Sequence, residues 1–326
     1  MITKLSVSNF KSVRQLDIEC TKVNLFIGEP NTGKSNILEA LALMSWWARP
    51  SPNLADYIRF QVTQNLFYDQ LLDHEIHVSL SLSSGKPEAG LYVRFAKDRF
   101  ELRIQQAAKA YAEINHQGNL QVGTVITQTG EVKFFRFKNL ASYPSTMAGG
   151  LMPPDGANLF SVVFGSESLR ETMKEFFRKY GLRIVFKPQE KLFELQKEVD
   201  DLVFSYPYAL ASDTLRRIIF YTVAIASNKD STLVFEEPES HAFPYYTKYL
   251  GERIALDQTN QFFIATHNPY LLSAIIEKAR KEDVQVLITY FKDFQTHVKP
   301  LTPDQVVELM EADPFFNLDR FIEAEE

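Results

Sequence analysis

Residues 28–35 read Gly28-Glu29-Pro30-Asn31-Thr32-Gly33-Lys34-Ser35, and this octapeptide constrains the fold more than any other segment. It fits G-x-x-x-x-G-K-[ST]. The apolar run 23–27 precedes it and a helix-forming run follows to about Ala48, the strand–helix context in which such a loop cradles phosphate. The chemistry needs these residue types. Gly33 lets the backbone curl around an anion, while the amides of 32–35 and the helix N-terminus face it. Lys34 reaches the β- and γ-phosphates, and the Ser35 hydroxyl suits Mg²⁺. A chance match is on the order of one in a hundred for a chain of this length, and the flanking strand and helix lower it further.

Two further segments complete a nucleotide site. Thr232-Leu233-Val234-Phe235-Glu236-Glu237 is an apolar strand ending in two carboxylates. One carboxylate can hold Mg²⁺ through its water shell and the next can polarise an attacking water; Glu236 is assigned to the metal and Glu237 to the base. On its own, such a segment is a buried strand with two exposed glutamates. Phe262-Phe263-Ile264-Ala265-Thr266-His267 is a second apolar strand, ending in a histidine that can touch a γ-phosphate.

Along the chain, the pattern predicts strands over 5–7, 16–18 and 23–27, then the helix 34–48 closed by Pro50 and Pro52. Period-two segments at 76–82, 91–95, 100–105, 120–129 and 132–137 predict an antiparallel meander. Residues 141–158 carry three glycines and three prolines and read as a loop. A helix over 168–180, strands at 182–186 and 191–195, and a helix from Thr214 come next. The runs 232–235 and 261–265 read as buried parallel strands; strands at 284–291 and 296–298 and a helix at 303–311 end the pattern. No internal repeat is visible.

The 326 residues carry 35 Lys and Arg against 41 Asp and Glu, a formal charge of −6. The excess is local: 301–326 holds eight acids and one base, leaving residues 1–300 at +1. A near-neutral body with an acidic tail neither excludes nor favours a polyanion. The tail is a candidate docking or shielding element, against the plainer reading of a solvated terminus. Cys20 is the single cysteine, so neither an intrachain disulfide nor a cysteine metal cluster can form. No apolar stretch reaches the ~20 residues of a membrane span and no leader pattern is present, so a cytoplasmic location is expected.

In combination, these motifs and their order resemble the ABC-type ATPase heads of the SMC and RecF class. Asn9-Phe10-Lys11-Ser12 is similar to the turn after that class's first strand, and Asn36 and Glu39 match its Gly-Lys-Ser-Asn-x-x-Glu-Ala helix start. Glu237-Pro238-Glu239-Ser240-His241 followed by Pro244 resembles the bacterial AAA-family ATPases related to the overcoming-lysogenization-defect (OLD) nucleases, as does Asp155-Gly156-Ala157-Asn158-Leu159. The resemblance implies an α/β P-loop head: a mixed central sheet, an antiparallel β meander and a helical signature subdomain. It implies one head over 1–326, with a P-loop and meander lobe over about 1–140, a signature subdomain over about 141–225, the two phosphate-facing strands over about 226–300, and the tail.

It also implies that ATP and Mg²⁺ bind at Gly28, Asn31, Thr32, Gly33, Lys34, Ser35 and Asn36. Lys34, Glu237 and His267 would serve hydrolysis, Ser35 and Glu236 the metal. Ser212 would contact the γ-phosphate of a second copy in an ATP-dependent dimer. Departures from the pattern are the signature Ala211-Ser212-Asp213-Thr214, which lacks the usual glycine, Pro30-Asn31 in the loop, and Glu236 where Asp is usual. A Mg²⁺-sensing glutamine is expected among Gln61, Gln64 and Gln70. Arg216 and Arg217 are either phosphate or DNA contacts or solvated charges; Tyr206, Tyr208, Tyr245, Tyr246 and Tyr249 are either core or interface.

The interval of 177 positions from Ser35 to Ser212 is broken by strands, glycines and prolines, which excludes a long coiled arm. About 60 residues follow His267, too few for an appended nuclease. The expected function is an ATPase that dimerises on ATP and controls a separately encoded nuclease or toxin in bacterial defence or DNA maintenance. The alternatives are a weakly hydrolysing ATP-bound scaffold and a RecF-like head that binds DNA directly.

Overall fold

The computed structural model describes residues 1–49, 51–83, 89–104, 110–124, 132–311, 314–316 and 318–323. In chain order, β1 (Ile2–Phe10), β2 (Val13–Glu19) and β3 (Val23–Ile27) lead into α1 (Lys34–Ala48). Short 3₁₀ turns over 54–70 precede β4 (Ile76–Leu82), β5 (Ala89–Ala96), β6 (Arg99–Ile104), β7 (Tyr111–Ile114), β8 (Leu120–Thr124) and β9 (Val132–Phe135). Next come α2 (Leu159–Phe164), α3 (Glu167–Arg178), β10 (Arg183–Lys187), β11 (Leu192–Val199), β12 (Leu202–Pro207) and α4 (Asp213–Ser227). The chain then runs through β13 (Thr232–Glu236), α5 (Pro244–Leu256), β14 (Gln261–Ala265), α6 (Pro269–Lys278), β15 (Val284–Lys292), β16 (Gln295–Pro300), α7 (Pro303–Glu311) and α8 (Asp319–Glu323).

The described residues form three sheets. The first is antiparallel, in the order β2-β1-β4-β5-β6-β7-β8. Its strands alternate as a half-solvated sheet should: in β2, Val13, Leu16 and Ile18 are buried while Arg14, Gln15, Asp17 and Glu19 face out. The central sheet, β16-β15-β3-β14-β13-β9, is parallel except for the β16 edge. A three-stranded antiparallel sheet, β10-β11-β12, sits with α2 and α3 in the signature region, so that region is not helical alone.

β3 is buried along its whole length because both neighbours are parallel strands and helices cover it. Val23, Leu25 and Ile27 face one core, with α4, α5 and α6; Phe26 faces the other, with α1 and the antiparallel sheet. α1 is buried nearly all round, Ile37 to Trp47, because it lies between two sheets, which is what its Ile37-Leu38-Glu39-Ala40-Leu41-Ala42-Leu43-Met44-Ser45-Trp46-Trp47 run requires. Gln261 locks the sheets together: its amide accepts Ile2 N–H at 2.7 Å and donates to Ile2 C=O at 2.7 Å.

Two expectations change. Residues 132–137, read as the last meander strand, instead supply β9, parallel to β13 in the central sheet. The physical reason is visible in its four consecutive buried residues, which lack the alternation of a one-sided sheet. β7 and the exposed edge strand β12 have no counterpart in the sequence reading. The expected strand 120–129 is seen to Thr124; residues 125–129, and Pro50 at the helix end, lie outside the described residues. No helix among the described residues is long and apolar enough to cross a membrane.

Candidate functional site

Parallel pairing of β3, β14 and β13 brings their C-terminal ends to one edge, the usual place for a ligand on an open α/β sheet. Gly28 to Gly33 form the loop between β3 and α1. Gly28 (φ 147°) and Gly33 (φ 101°) adopt backbone angles closed to other residues. There is no room for a side chain either: a Cβ on Gly28 would lie 2.2 Å from Thr289 O, and one on Gly33 1.9 Å from Thr296 Oγ1. Thr296 holds the loop from behind, donating to Thr32 O at 3.0 Å and contacting Ser12 Oγ at 2.6 Å. Ser12 accepts from Asn36 Nδ2 at 2.7 Å. The two segments singled out in the sequence, 9–12 and 34–39, therefore meet, and Lys11 also pairs with Glu39.

Lys34 folds into the loop it begins to close. Its Nζ donates to Gly28 O at 2.9 Å and Glu29 O at 2.7 Å, holding the ammonium where a phosphate would lie. Burial pulls its pKa down to about 8, with Glu237 and Glu29 pulling back up. Asn31 is exposed at φ 63°, a conformation asparagine tolerates.

At the end of β13, Glu236 and Glu237 point to different partners. Glu237, at φ 42°, donates its N–H to Ala265 O at 2.9 Å; its Oε1 lies 3.5 Å from His267 Nε2 and its Oε2 accepts from Ser240 Oγ at 3.1 Å. Burial and then Lys34 lower the His267 pKa, against Glu237, which favours the neutral ring. Glu236 instead meets Arg59 Nη2 at 2.8 Å and Arg136 Nη2 at 3.6 Å. Both arginines also reach the fully buried Glu39, Arg59 Nε at 2.9 Å and Arg136 Nη2 at 3.4 Å. Burial disfavours the Arg59 charge, but Glu236 and Glu39 outweigh it and raise its pKa. Ser35 and Glu236 offer a hydroxyl and a carboxylate, hard oxygen donors that fit Mg²⁺ kept largely hydrated and bound to phosphate. Among the described residues no cluster of three or more His, Cys, Asp or Glu could hold a metal by itself.

Sequence reasoning missed Arg59. The segment 54–70 was expected to bring a glutamine to the site, yet Gln64 donates to Gln70 O at 3.0 Å within the segment, and Arg59 reaches the carboxylates. No local signal marks it, because Glu236 is 177 positions away. Neither Arg216 nor Arg217 is a fully solvated charge. Arg216 is buried against Asn139, Ala211 O and Asp213, and Arg217 stacks over Phe137 with Nε 3.8 Å from Asp213. Asn158 staples its loop, accepting Met152 N–H at 2.8 Å and donating to Met147 O and Gly150 O at 3.1 Å.

Ser212 stands apart. It precedes α4, exposed, and lines a groove of about 610 Å³ with Leu210, Phe243, Tyr206 and Tyr246. Among the described residues, no hydrogen bond or ion pair joins it to the P-loop. Of the five tyrosines in question, Tyr208 and Tyr246 are buried, whereas Tyr206 and Tyr245 are exposed.

Comparison with known proteins agrees with this geometry. Residues 1–134 match the family described as "AAA ATPase domain", and 140–273 match "AAA domain, putative AbiEii toxin, Type IV TA system". An ATP/GTP phosphatase of Helicobacter pylori is 21% identical, over 93% of this chain and 95% of its own length. In fold, the chain is similar to an SMC head solved with the C-terminal winged-helix domain of ScpA (TM-score 0.56, 15% identity, 94% of this chain and 99% of that one). It is also similar to a Pyrococcus furiosus Smc head with an extended coiled coil bound to the C-terminal domain of ScpA (TM-score 0.55, 12% identity, 95% and 98%). With AAA-type ATPase models matching both 1–134 and 140–273 and a P-loop facing the Glu237–His267 pair, the chain is an ATPase whose fold is similar to that of an SMC head.

Proposed function

We propose that this ATPase binds ATP with Mg²⁺, closes against a second copy of itself while ATP is bound, and thereby controls a separately encoded effector, a nuclease or toxin in bacterial defence or DNA maintenance. The observation that carries this reading is the open groove beside Ser212, whose lining holds Leu210, Phe243 and Tyr206 and no residue of the P-loop. A γ-phosphate contact from the signature segment would then come from another copy, and exposed Leu210, Phe243 and Tyr206 beside Ser212 supply apolar surface to cover. The effector is supported by the toxin-system family that 140–273 matches and by the ScpA domain that the similar SMC heads carry.

In the hydrolytic step, Lys34 and the amides of 32–35 hold the phosphates. Mg²⁺, bound by Ser35 and Glu236, would neutralise phosphate charge. Glu237, its second oxygen held by Ser240, accepts a proton from the attacking water. Neutral His267 hydrogen-bonds the γ-phosphate. The reading is tested by size-exclusion chromatography of Glu237→Gln with ATP and Mg²⁺: an ATP-dependent doubling of mass is expected, and tight ATP binding with no change in mass would overturn the dimer.

A slower, scaffold-like ATPase is favoured by one contact, the arginines on Glu236, which compete with a metal for the same carboxylate. Turnover far below one per minute, unaffected by Glu237→Gln, would select it.

A further inference from the structure

Behind the Glu237–His267 pair, the ends of β13 and β14 are joined by a contact that no motif announces. Glu239 follows Glu237 by two positions yet is 4% exposed. Its Oε1 accepts the hydroxyl hydrogen of Thr266, itself fully buried, and Thr266 Oγ1 accepts the backbone N–H of Asn268 at 3.0 Å. The pair thus grips the chain on both sides of His267. On the other side, Thr266 N–H donates to Phe26 O at 3.1 Å in β3, the strand that enters the P-loop.

A buried carboxyl is an expensive way to join two loops, since a neutral side chain could make the same hydrogen bond without desolvating a charge. Burial raises the Glu239 pKa to about 7, with the Thr266 hydroxyl and the His267 backbone N–H pulling it down. Its Oε2 is buried without a hydrogen-bond partner among the described residues. Groups left in this condition concentrate where catalytic geometry has to be held.

We propose that Glu239 and Thr266 are positioning residues for hydrolysis, a buried clamp that holds the His267 loop at the distance from Glu237 at which both side chains address one phosphate. The inference rests on the roles proposed above for Glu237 and His267. Neither clamp residue touches the P-loop contacts of Lys34, so the clamp should govern turnover and leave ATP binding alone. A displacement of about 1 Å at such a site costs on the order of a hundredfold in rate.

The test measures kcat, KM, ATP affinity by fluorescent-nucleotide binding, and Tm. Thr266→Val exchanges the hydroxyl for a methyl group; kcat should fall tenfold or more with ATP Kd within twofold, and Thr266→Ser should restore kcat to within threefold. Glu239→Gln keeps the acceptor and should stay within threefold of the parent, whereas Glu239→Ala should fall as far as Thr266→Val. The clamp is refuted by unchanged kcat in Thr266→Val, by kcat and ATP affinity falling together, or by Glu239→Gln losing as much as Glu239→Ala. If Glu239→Ala does not fold, the Val and Ser variants at 266 decide. His267→Ala and Glu237→Gln separate the two readings: full turnover in both overturns the site assignment and the clamp with it, while loss in both beside a fully active Thr266→Val removes the clamp alone.

Discussion

Lys34 shows how the site's chemistry is set residue by residue. Three P-loop oxygens surround its Nζ, two of them backbone carbonyls, and burial has already drawn its pKa down to about 8. A bound triphosphate places negative charge beside that amine and raises its pKa, so above pH 8 binding must take up a proton. ATP Kd should be flat from pH 7 to 8 and then rise by up to about tenfold per pH unit. Lys34→Arg should abolish that alkaline limb in a titration of nucleotide binding against pH, because a guanidinium stays charged. Gly33 is constrained sterically instead. Gly33→Ala brings a Cβ onto Thr296 Oγ1 in a left-handed backbone, and should lower stability by about 1–3 kcal/mol in thermal unfolding. Thr296→Ala should recover part of that loss by removing the clash while leaving the backbone strain.

Among the elements, the segment over 54–70 does most to shape the site without belonging to any strand or α-helix. It carries Arg59 to Glu39 of α1 and Glu236 of β13, and Arg136, just beyond β9, reaches the same two carboxylates. Glu39 is fully buried against Lys11, with the more exposed Arg59 and Arg136 at its outer edge, so Glu39→Ala strands the Lys11 ammonium at a buried junction. Loss of a buried partner of this kind costs about 3–5 kcal/mol, and denaturant unfolding should show it. Arg59→Ala, by contrast, leaves a half-exposed position and removes the nearer of the two arginines on Glu236. The half-saturating Mg²⁺ concentration of the ATPase should then fall by up to about fivefold, a change of the size expected for removing one partly exposed ion pair. A rise instead would mean that Arg59 helps form the metal site.

For the whole molecule, the acidic tail looks different in three dimensions. Leu309 of α7, Leu318 just before α8 and Phe321 of α8 are buried in the core shared with α4, α5 and α6, and the Phe315 ring lies 6.5 Å from that of His267. The carboxylates of Asp304, Glu308 and Glu311 ride on the outer side of this anchored segment; Asp313, Glu325 and Glu326 lie outside the described residues. Deleting 301–326 should therefore do more than expose surface. Each large apolar side chain removed costs about 1.5–3 kcal/mol, so the truncated chain should melt many degrees lower, and a gain of DNA binding in it, weakening with salt, would support a shielding role beyond the structural one.

Local chemistry made the P-loop legible before any coordinates: a loop that binds phosphate needs Gly28, Gly33, Lys34 and Ser35 in sequence, between a strand and a helix. The apolar strands ending at Glu236 and Ala265 were legible for the same reason, since burial on both faces leaves an unbroken apolar run. The turn at Asn9 to Ser12 and the helix start at Asn36 and Glu39 could be matched as segments, though not seen to touch. Tertiary structure alone decided the rest. The place of β9 in the central sheet, Arg59 on Glu236, and Glu239 on Thr266 all depend on residues far apart in sequence meeting at strand ends. A buried charge carries no periodicity of its own, and its partner is known only when the chain has folded around it.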